Sequence, residues 1–167
     1  ILFKNAQFWP LFWTQFFGAL NDNFLKNALV VLITYKGVSL LGLGSAQIVA
    51  VAGAIFILPY VLFSPLAGQL ADKYEKSNLV RATKLLELII MILAGIGFWA
   101  EAYGVLLVVL FLMGTQSSFF GPVKYSIIPE LVDPSRLTQG NAYVELGTFL
   151  AILIGTILGG LVVSLDA

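Results

Sequence analysis

The sequence predicts an all-α fold, a polytopic membrane helix bundle with about five transmembrane helices. The chain has 167 residues, of which 59% are hydrophobic and only 11% are charged, whereas a soluble domain usually carries about 25% charged residues. Apolar stretches near the ~20 residues that a bilayer-spanning helix needs recur along the chain. A chain this short must expose much of its surface, and an apolar surface suits lipid rather than water.

Five stretches are long enough to span a bilayer. We place the predicted spans at residues 8–35, 47–70, 79–100, 105–128 and 138–165. The third stretch is strongly apolar only from Leu85 onward, so it needs its basic flank to reach full length.

Four polar segments separate the predicted spans. A turn rich in Gly and Ser follows the first span at residues 37–45, and a charged patch lies at residues 72–84 between the second and third spans. A tight turn at residues 101–104 precedes the fourth span, and a polar loop at residues 129–136 precedes the fifth. None of these segments has room for a soluble domain.

The distribution of Lys and Arg predicts the orientation, because basic loops stay on the cytoplasmic side of a membrane. One side of the predicted bundle carries only Lys36. The other side carries Lys4, Lys73, Lys76, Arg81, Lys84 and Arg136. We therefore expect a multi-pass membrane protein with a cytoplasmic N-terminus.

Composition also excludes several kinds of function. The formal net charge is zero, which argues against a nucleic-acid partner. The chain has neither His nor Cys, so Ser-His-Asp and Cys-His catalysis and His or Cys metal sites are excluded. We expect no enzyme activity, no catalytic residue, no metal site and no cofactor. Because the chain starts at Ile1 and stops just after an apolar run, we also expect it to be a fragment.

The first predicted span contains an unusual polar face. Asp22 and Lys26 are four residues apart and so share one helix face, and Asn21, Asn23 and Asn27 lie at the same depth. A charge in the middle of a bilayer costs about 2.5–3.5 kcal/mol on the insertion scale. The face is either a structural Asp22–Lys26 pair between helices or the wall of a water-filled path. The asparagines favour the path.

Two more charges lie within predicted spans. Lys124 follows Pro122, a residue that removes a backbone donor and is expected to kink the fourth span. Glu145 lies about two turns into the fifth span, on a face that also carries Asn141 and Thr148. Lys124 and Glu145 either pair with each other or face a substrate.

The remaining charged residues have simpler explanations. Glu87 is expected to be a structural partner of Lys84, three residues earlier on the same helix. Glu101 and Asp166 are expected to be solvated at the outer surface.

Small residues recur on the fifth predicted span. Ala151, Gly155 and Gly159 are spaced four apart, and Gly160 follows. This spacing lets two helix backbones approach closely, as it does in many membrane helices. The four residues therefore predict a helix-packing face.

The segment between the second and third spans resembles the signature loop of the major facilitator superfamily. It contains Gly68, then Asp72 four residues later, then the basic residues Lys73 and Lys76. We expect Gly68 to permit close helix packing and Asp72 to favour the N-terminal side of the next helix. The resemblance implies that this segment controls the conformational equilibrium of the transporter. The fourth span lacks the arginine that many members carry, so members that use it for proton coupling are poorer guides.

Within that superfamily the chain resembles the bacterial lysophospholipid transporters over nearly its whole length. Three runs carry the resemblance: Phe-Gly-Ala-Leu-Asn-Asp-Asn at residues 17–23, Phe-Gly-Pro-Val-Lys-Tyr-Ser-Ile-Ile-Pro-Glu-Leu at residues 120–131, and Asn-Ala-Tyr-Val-Glu at residues 141–145. The resemblance implies that Asp22, Lys124 and Glu145 line or gate the central path. We place Asn23, Lys26 and Asn141 in the same polar lining.

The resemblance also implies partners and a mechanism. The chain would be a partial N-terminal transmembrane bundle, residues 1–167, that needs the C-terminal half of the transporter. The complete protein would lie in the bacterial inner membrane and move lysophosphatidylethanolamine or a related lipid across it by alternating access. Two other functions stay open. One is transport of a different solute or drug on the same fold, and the other is a membrane anchor for a fused acyltransferase domain.

Overall fold

The computed structural model describes residues 6–165, and nearly all of them are helical. Within that range the chain forms five α-helices and no β-strand, which confirms the predicted fold class. The helices are α1 (Phe8–Lys36), α2 (Ser45–Lys73), α3 (Lys76–Trp99), α4 (Tyr103–Leu131) and α5 (Leu137–Leu165). Lys4 and Asp166, which entered the orientation and surface predictions, lie outside the described residues.

The helices have the length that a membrane requires. Four of them contain 29 residues and α3 contains 24, and 24 residues at 1.5 Å each make a helix of about 36 Å, longer than the ~30 Å hydrocarbon core. By length and composition, Phe8–Lys36, Ser45–Lys73, Tyr103–Leu131 and Pro134–Leu165 could each cross a membrane. Helix α3 is less apolar and is not among these four. It begins at Lys76, so the basic residues that precede its apolar part are helical.

Apolar side chains lie on the outside of the helices. Val61, Leu85 and Phe149 are each more than half exposed, although soluble monomers rarely expose large contiguous apolar patches. Several of the buried positions are instead polar, among them Asp22 and Lys124. This distribution suits helices that are surrounded by lipid.

The turn between α2 and α3 is shorter than the sequence predicted. Gly68, Asp72 and Lys73 belong to α2, and Lys76 is already the first residue of α3. The loop placement of this motif is therefore wrong, because residues 69–73 contain neither Gly nor Pro and continue the helix. The helix ends only at Tyr74, whose backbone is extended while its N–H still bonds the carbonyl of Leu70. Asp72 lies in the last turn of α2, not at the start of α3.

Two other connections also differ from the predicted boundaries. Helix α4 runs through Pro122 and Pro129 to Leu131, and a single 3₁₀ turn at Pro134–Arg136 leads directly into α5. Residues 37–44 between α1 and α2 form a tight turn in which the backbones of Leu40 and Leu43 bond each other.

Contacts divide the chain into two units. The first comprises the residues up to Ala28 together with those from Lys124 onward, and the second is Leu29–Val123. The first unit thus contains most of α1, the last part of α4 and all of α5.

In the first unit, the small residues of α5 pack against α1. A Cβ at Gly155 would clash with the carbonyl oxygen of Leu20, and one at Gly159 would clash with that of Phe24. Ala151 is fully buried, and a Cβ at Gly160 would lie 3.3 Å from the side-chain nitrogen of Asn27. The backbones of α1 and α5 therefore approach as closely as the small-residue spacing allows.

In the second unit, α2 and α4 meet at one glycine. A Cβ at Gly114 would clash with the carbonyl oxygen of Phe56. Beside this contact the ring of Phe63 lies 6.4 Å from that of Phe111 and 5.9 Å from that of Phe119. A cavity of about 190 Å³ opens among α2, α3 and α4, and its lining is apolar except for Thr83.

Candidate functional site

The polar face of α1 is partly turned inward. Asp22 is buried at 7% exposure, although an intramembrane carboxylate is expensive to bury. The side-chain nitrogen of Asn23 donates to the Ala19 carbonyl at 2.8 Å, and its side-chain oxygen accepts from Lys26 Nζ at 3.2 Å. The predicted path residues Asp22, Asn23 and Lys26 thus lie within little more than one turn of a single helix.

Two other polar residues of α1 bind α5. Gln15 Nε2 donates to Thr148 Oγ1 at 3.0 Å, and Asn27 Nδ2 donates to the Thr156 carbonyl at 2.6 Å. Interhelical hydrogen bonds of this kind contribute to association where the surrounding lipid offers no competing donors. Both residues therefore stabilise the α1–α5 packing, whereas Asp22 and Lys26 lie between them along the helix.

Lys124 and Glu145 meet between α4 and α5. Lys124 is 5% exposed, and its Nζ lies 3.5 Å from Oε1 of Glu145. The side chain of Glu145 stays 38% exposed. The pairing alternative is thus observed, but the distance is long for a charge-assisted hydrogen bond, which is usually near 2.7–2.9 Å.

Tyr125 completes this cluster, and sequence reasoning did not select it. Its hydroxyl donates to Oε1 of Glu145 at 2.5 Å, and the Lys124 ammonium lies 4.3 Å from the centroid of its ring. In the sequence, the single signal for Tyr125 is its position in the Pro-Val-Lys-Tyr run. That run does not indicate that Tyr125 contacts Glu145 on α5. Asn141 lies on α5 one turn before Glu145.

All six predicted path residues belong to the first unit. They are Asp22, Asn23, Lys26, Lys124, Asn141 and Glu145. No group of three or more acidic or metal-binding side chains that could hold a metal occurs among residues 6–165. The charges available in the six path residues are those of the Lys124–Glu145 pair and of Asp22 and Lys26 on α1. Lys26 and Lys124 can each attract an anion, and Asp22 and Glu145 can each attract a cation.

The charged residues of α3 form a closer ion pair than Lys124 and Glu145 do. Glu87 Oε2 accepts from Lys84 Nζ at 2.6 Å, which confirms the predicted pairing, and also from Gln116 Nε2 of α4 at 3.2 Å. The Lys84 ammonium lies 4.5 Å from the ring centroid of Phe120. Glu101 is exposed as expected, but it also pairs with Lys36 at 2.5 Å.

The signature motif on α2 lies in the second unit. Asp72 and Lys73 are exposed, and Lys76 is half-buried. No described atom lies within 4 Å of the position that a Cβ of Gly68 would occupy. The close packing predicted for Gly68 is therefore absent from the described part of the chain.

Comparison with known protein families decides the membership of this chain. The model of the Major Facilitator Superfamily matches residues 11–166. The chain belongs to the Major Facilitator Superfamily. Membership agrees with the all-α membrane fold and makes the chain a multi-pass membrane protein.

Individual curated relatives that resemble this chain are named as lysophospholipid transporters. The chain is 31% identical over 150 residues to the "Lysophospholipid transporter LplT" of Photorhabdus laumondii, which covers 88% of this chain and 34% of that protein. It is 29% identical to the protein of the same name from Cronobacter sakazakii, with the same coverage. The chain thus spans about a third of the length of these relatives. No solved structure matches the chain.

Proposed function

We propose that this chain is the N-terminal part of a secondary transporter that moves a lysophospholipid, such as lysophosphatidylethanolamine, across the bacterial inner membrane by alternating access. The observation that carries the proposal is the buried Lys124, held only loosely at 3.5 Å from a Glu145 carboxylate that stays partly exposed. A buried cation with an incomplete partner set is suited to bind a second anion, such as a phosphate.

The zwitterionic headgroup of a lysophospholipid matches the charges of the first unit. Its phosphate would meet Lys124 or Lys26, and its ammonium would meet Asp22 or Glu145. The single acyl chain would lie along apolar helix surface or in lipid. The relatives named as lysophospholipid transporters support this substrate class. In this proposal the chain acts by transport rather than catalysis, and the C-terminal half supplies the other wall of the path.

The test measures uptake of labelled lysophosphatidylethanolamine by vesicles that contain the full-length protein. Lys124→Ala should abolish uptake at unchanged protein abundance, while Lys124→Arg should keep part of it, because the charge persists and the shape changes. Asp22→Asn should also impair uptake, since it removes only the charge.

A double variant separates substrate binding from simple neutralisation. If Lys124 only neutralises Glu145, removing one partner leaves a buried charge and destabilises the protein, and the double variant Lys124→Ala with Glu145→Ala should recover both folding and uptake. Recovery of uptake in that variant would contradict the proposal. A full-length protein that moves no lysophospholipid but positions an acyltransferase domain would favour the anchor instead.

The orientation is part of the proposal and has its own test. Ser77, one residue into α3, is exposed, and we expect it to face the cytoplasm together with Lys73 and Lys76. A single cysteine at Ser77 in an otherwise cysteine-free full-length protein should react with an impermeant reagent only after the membrane is opened. Labelling from the outside of intact cells would reverse the orientation.

A further inference from the structure

Two donors converge on one oxygen of Glu145. The Tyr125 hydroxyl donates to Oε1 at 2.5 Å, and Lys124 Nζ lies 3.5 Å from the same atom. A carboxylate has two oxygens with about four lone-pair sites. Within the described range, both hydrogen bonds to the Glu145 carboxylate go to Oε1 and none goes to Oε2, so this second oxygen can accept another donor.

The contacts of Tyr125 indicate that it orients the Glu145 carboxylate and does more than fill space. Its side chain is 49% exposed, so its hydroxyl fills no closed cavity whose loss would loosen a core. The shorter of the two contacts to Oε1 is the one from Tyr125, and the longer one is from Lys124. Tyr125 therefore fixes the direction of the carboxylate, and Lys124 keeps part of its capacity to bind an anion.

We infer that Tyr125 is a positioning residue that turns Oε2 of Glu145 toward the ammonium group of a zwitterionic headgroup, and so sets selectivity for amine-bearing lysophospholipids. This inference rests on the proposed function. Without the hydroxyl, Glu145 is free to rotate onto Lys124, which weakens both charges as ligands. The loss should be large for a headgroup with an ammonium and small for one without.

The test compares two lipids in vesicles that contain the full-length protein. Tyr125→Phe should raise the KM for lysophosphatidylethanolamine roughly tenfold, the scale of one hydrogen bond to a charged group, with kcat within about twofold. The KM for lysophosphatidylglycerol, which has no ammonium, should change much less. Tyr35→Phe, which alters an exposed tyrosine of the second unit, should leave both values unchanged.

A double-mutant cycle shows whether Tyr125 acts through Glu145. In a Glu145→Gln background, Tyr125→Phe should have no further effect on the ratio of the two KM values, whereas an equal effect in both backgrounds would overturn the inference. Tyr125→Trp keeps a ring and an N–H donor, so it should retain part of the selectivity even if the Phe variant is poorly recovered. A loss of selectivity in Tyr125→Trp equal to that in Tyr125→Phe would also overturn the inference.

The outcomes distinguish this inference from the proposed function. Wild-type protein that takes up neither lipid contradicts both. Wild-type uptake of both lipids, with KM values that rise equally in Tyr125→Phe, leaves the transport function standing and removes the positioning role.

Discussion

In the first unit, α1 and α5 are joined by glycine–backbone contacts and neutral hydrogen bonds. In the second unit, α2, α3 and α4 meet through one glycine–backbone contact, aromatic rings and a hydrogen bond from Gln116 to Glu87. Between α1 and α5, Gly155 and Gly159 admit two carbonyl groups of the facing helix. Between α2 and α4 only Gly114 does so. In α3 of the second unit, the Lys84–Glu87 ion pair receives a further bond from Gln116 of α4.

The difference shows how each unit uses its charges. Lipid tails give no hydrophobic drive for helix association, so close packing and interhelical polar contacts hold membrane helices together. In the second unit, Glu87 accepts bonds of 2.6 and 3.2 Å and its side chain is 13% exposed. In the first unit, glycines and amides join α1 to α5, and the Lys124–Glu145 contact is longer, with a more exposed carboxylate and a more buried lysine. This longer contact is the geometric basis of the proposal that Lys124 and Glu145 bind a headgroup.

The largest effect is expected from breaking the α1–α5 contact. Gly155→Leu would force a side chain into the Leu20 carbonyl, and overpacking of a tight interface costs about 1–3 kcal/mol, sometimes more. We expect strongly reduced recovery of folded full-length protein and a lower Tm in detergent. The measurement is thermal unfolding followed by size-exclusion chromatography.

Gly95→Leu is the matched control for that change. No described atom lies within 4 Å of a Cβ at Gly95 in α3, and Leu has the higher helix propensity. Folding should therefore be unchanged or slightly improved. Equal damage from Gly155→Leu and Gly95→Leu would mean that the small-residue stripe does not determine the packing.

The helix bundle and the packing face of α5 follow from the sequence because their signals are periodic. Apolar runs of membrane length predicted five helices, and small residues four apart predicted which side of α5 meets a neighbour. Gly114 was not selected in this way, because Ser118 is the single small residue four positions away and Leu110 and Pro122 end the pattern on either side. Gly147 lies four residues before Ala151 and extends the same stripe, so the sequence did contain its signal; a Cβ there would meet the ring of Phe12.

The candidate site was predictable in its charges but not in its contacts. A charge within an apolar span is conspicuous, so Asp22, Lys124 and Glu145 could be selected. The Tyr125 contact depends on how α4 is rotated against α5, and no residue pattern encodes that rotation. The signature motif was misplaced because Asp and Lys are compatible with a helix end as well as with a loop.

An intermediate effect is expected from removing one partner of the α3 pair. Glu87→Leu should destabilise the protein by about 1–3 kcal/mol, below the roughly 3–5 kcal/mol of a fully buried pair, because the Lys84 side chain is 26% exposed and can extend toward water. The double variant Lys84→Met with Glu87→Leu should recover the Tm and keep uptake. Loss of uptake in that well-folded double variant would place the second unit's charges in the transport path.

The smallest effect concerns backbone strain, which among the described residues is confined to the second unit. Leu41 has φ 53° and is 93% exposed, and the left-handed region costs an L-residue about 1–2 kcal/mol. Leu41→Gly should relieve that cost but lose part of the gain to the entropy of the unfolded chain, about 0.5–1 kcal/mol. We therefore expect a Tm that rises by a small amount in a detergent thermal scan, with uptake unchanged.

Leu43→Gly provides the comparison within the same turn. Leu43 does not have a positive φ, and its N–H and carbonyl both bond Leu40. A glycine there relieves no strain, adds unfolded-state entropy and removes a half-buried side chain. Its Tm should fall while that of Leu41→Gly rises. A fall of the Tm in both variants would show that the Leu41 side chain stabilises the turn by more than the backbone strain destabilises it. The turn of the second unit, like the α1–α5 contact, would then be determined by packing.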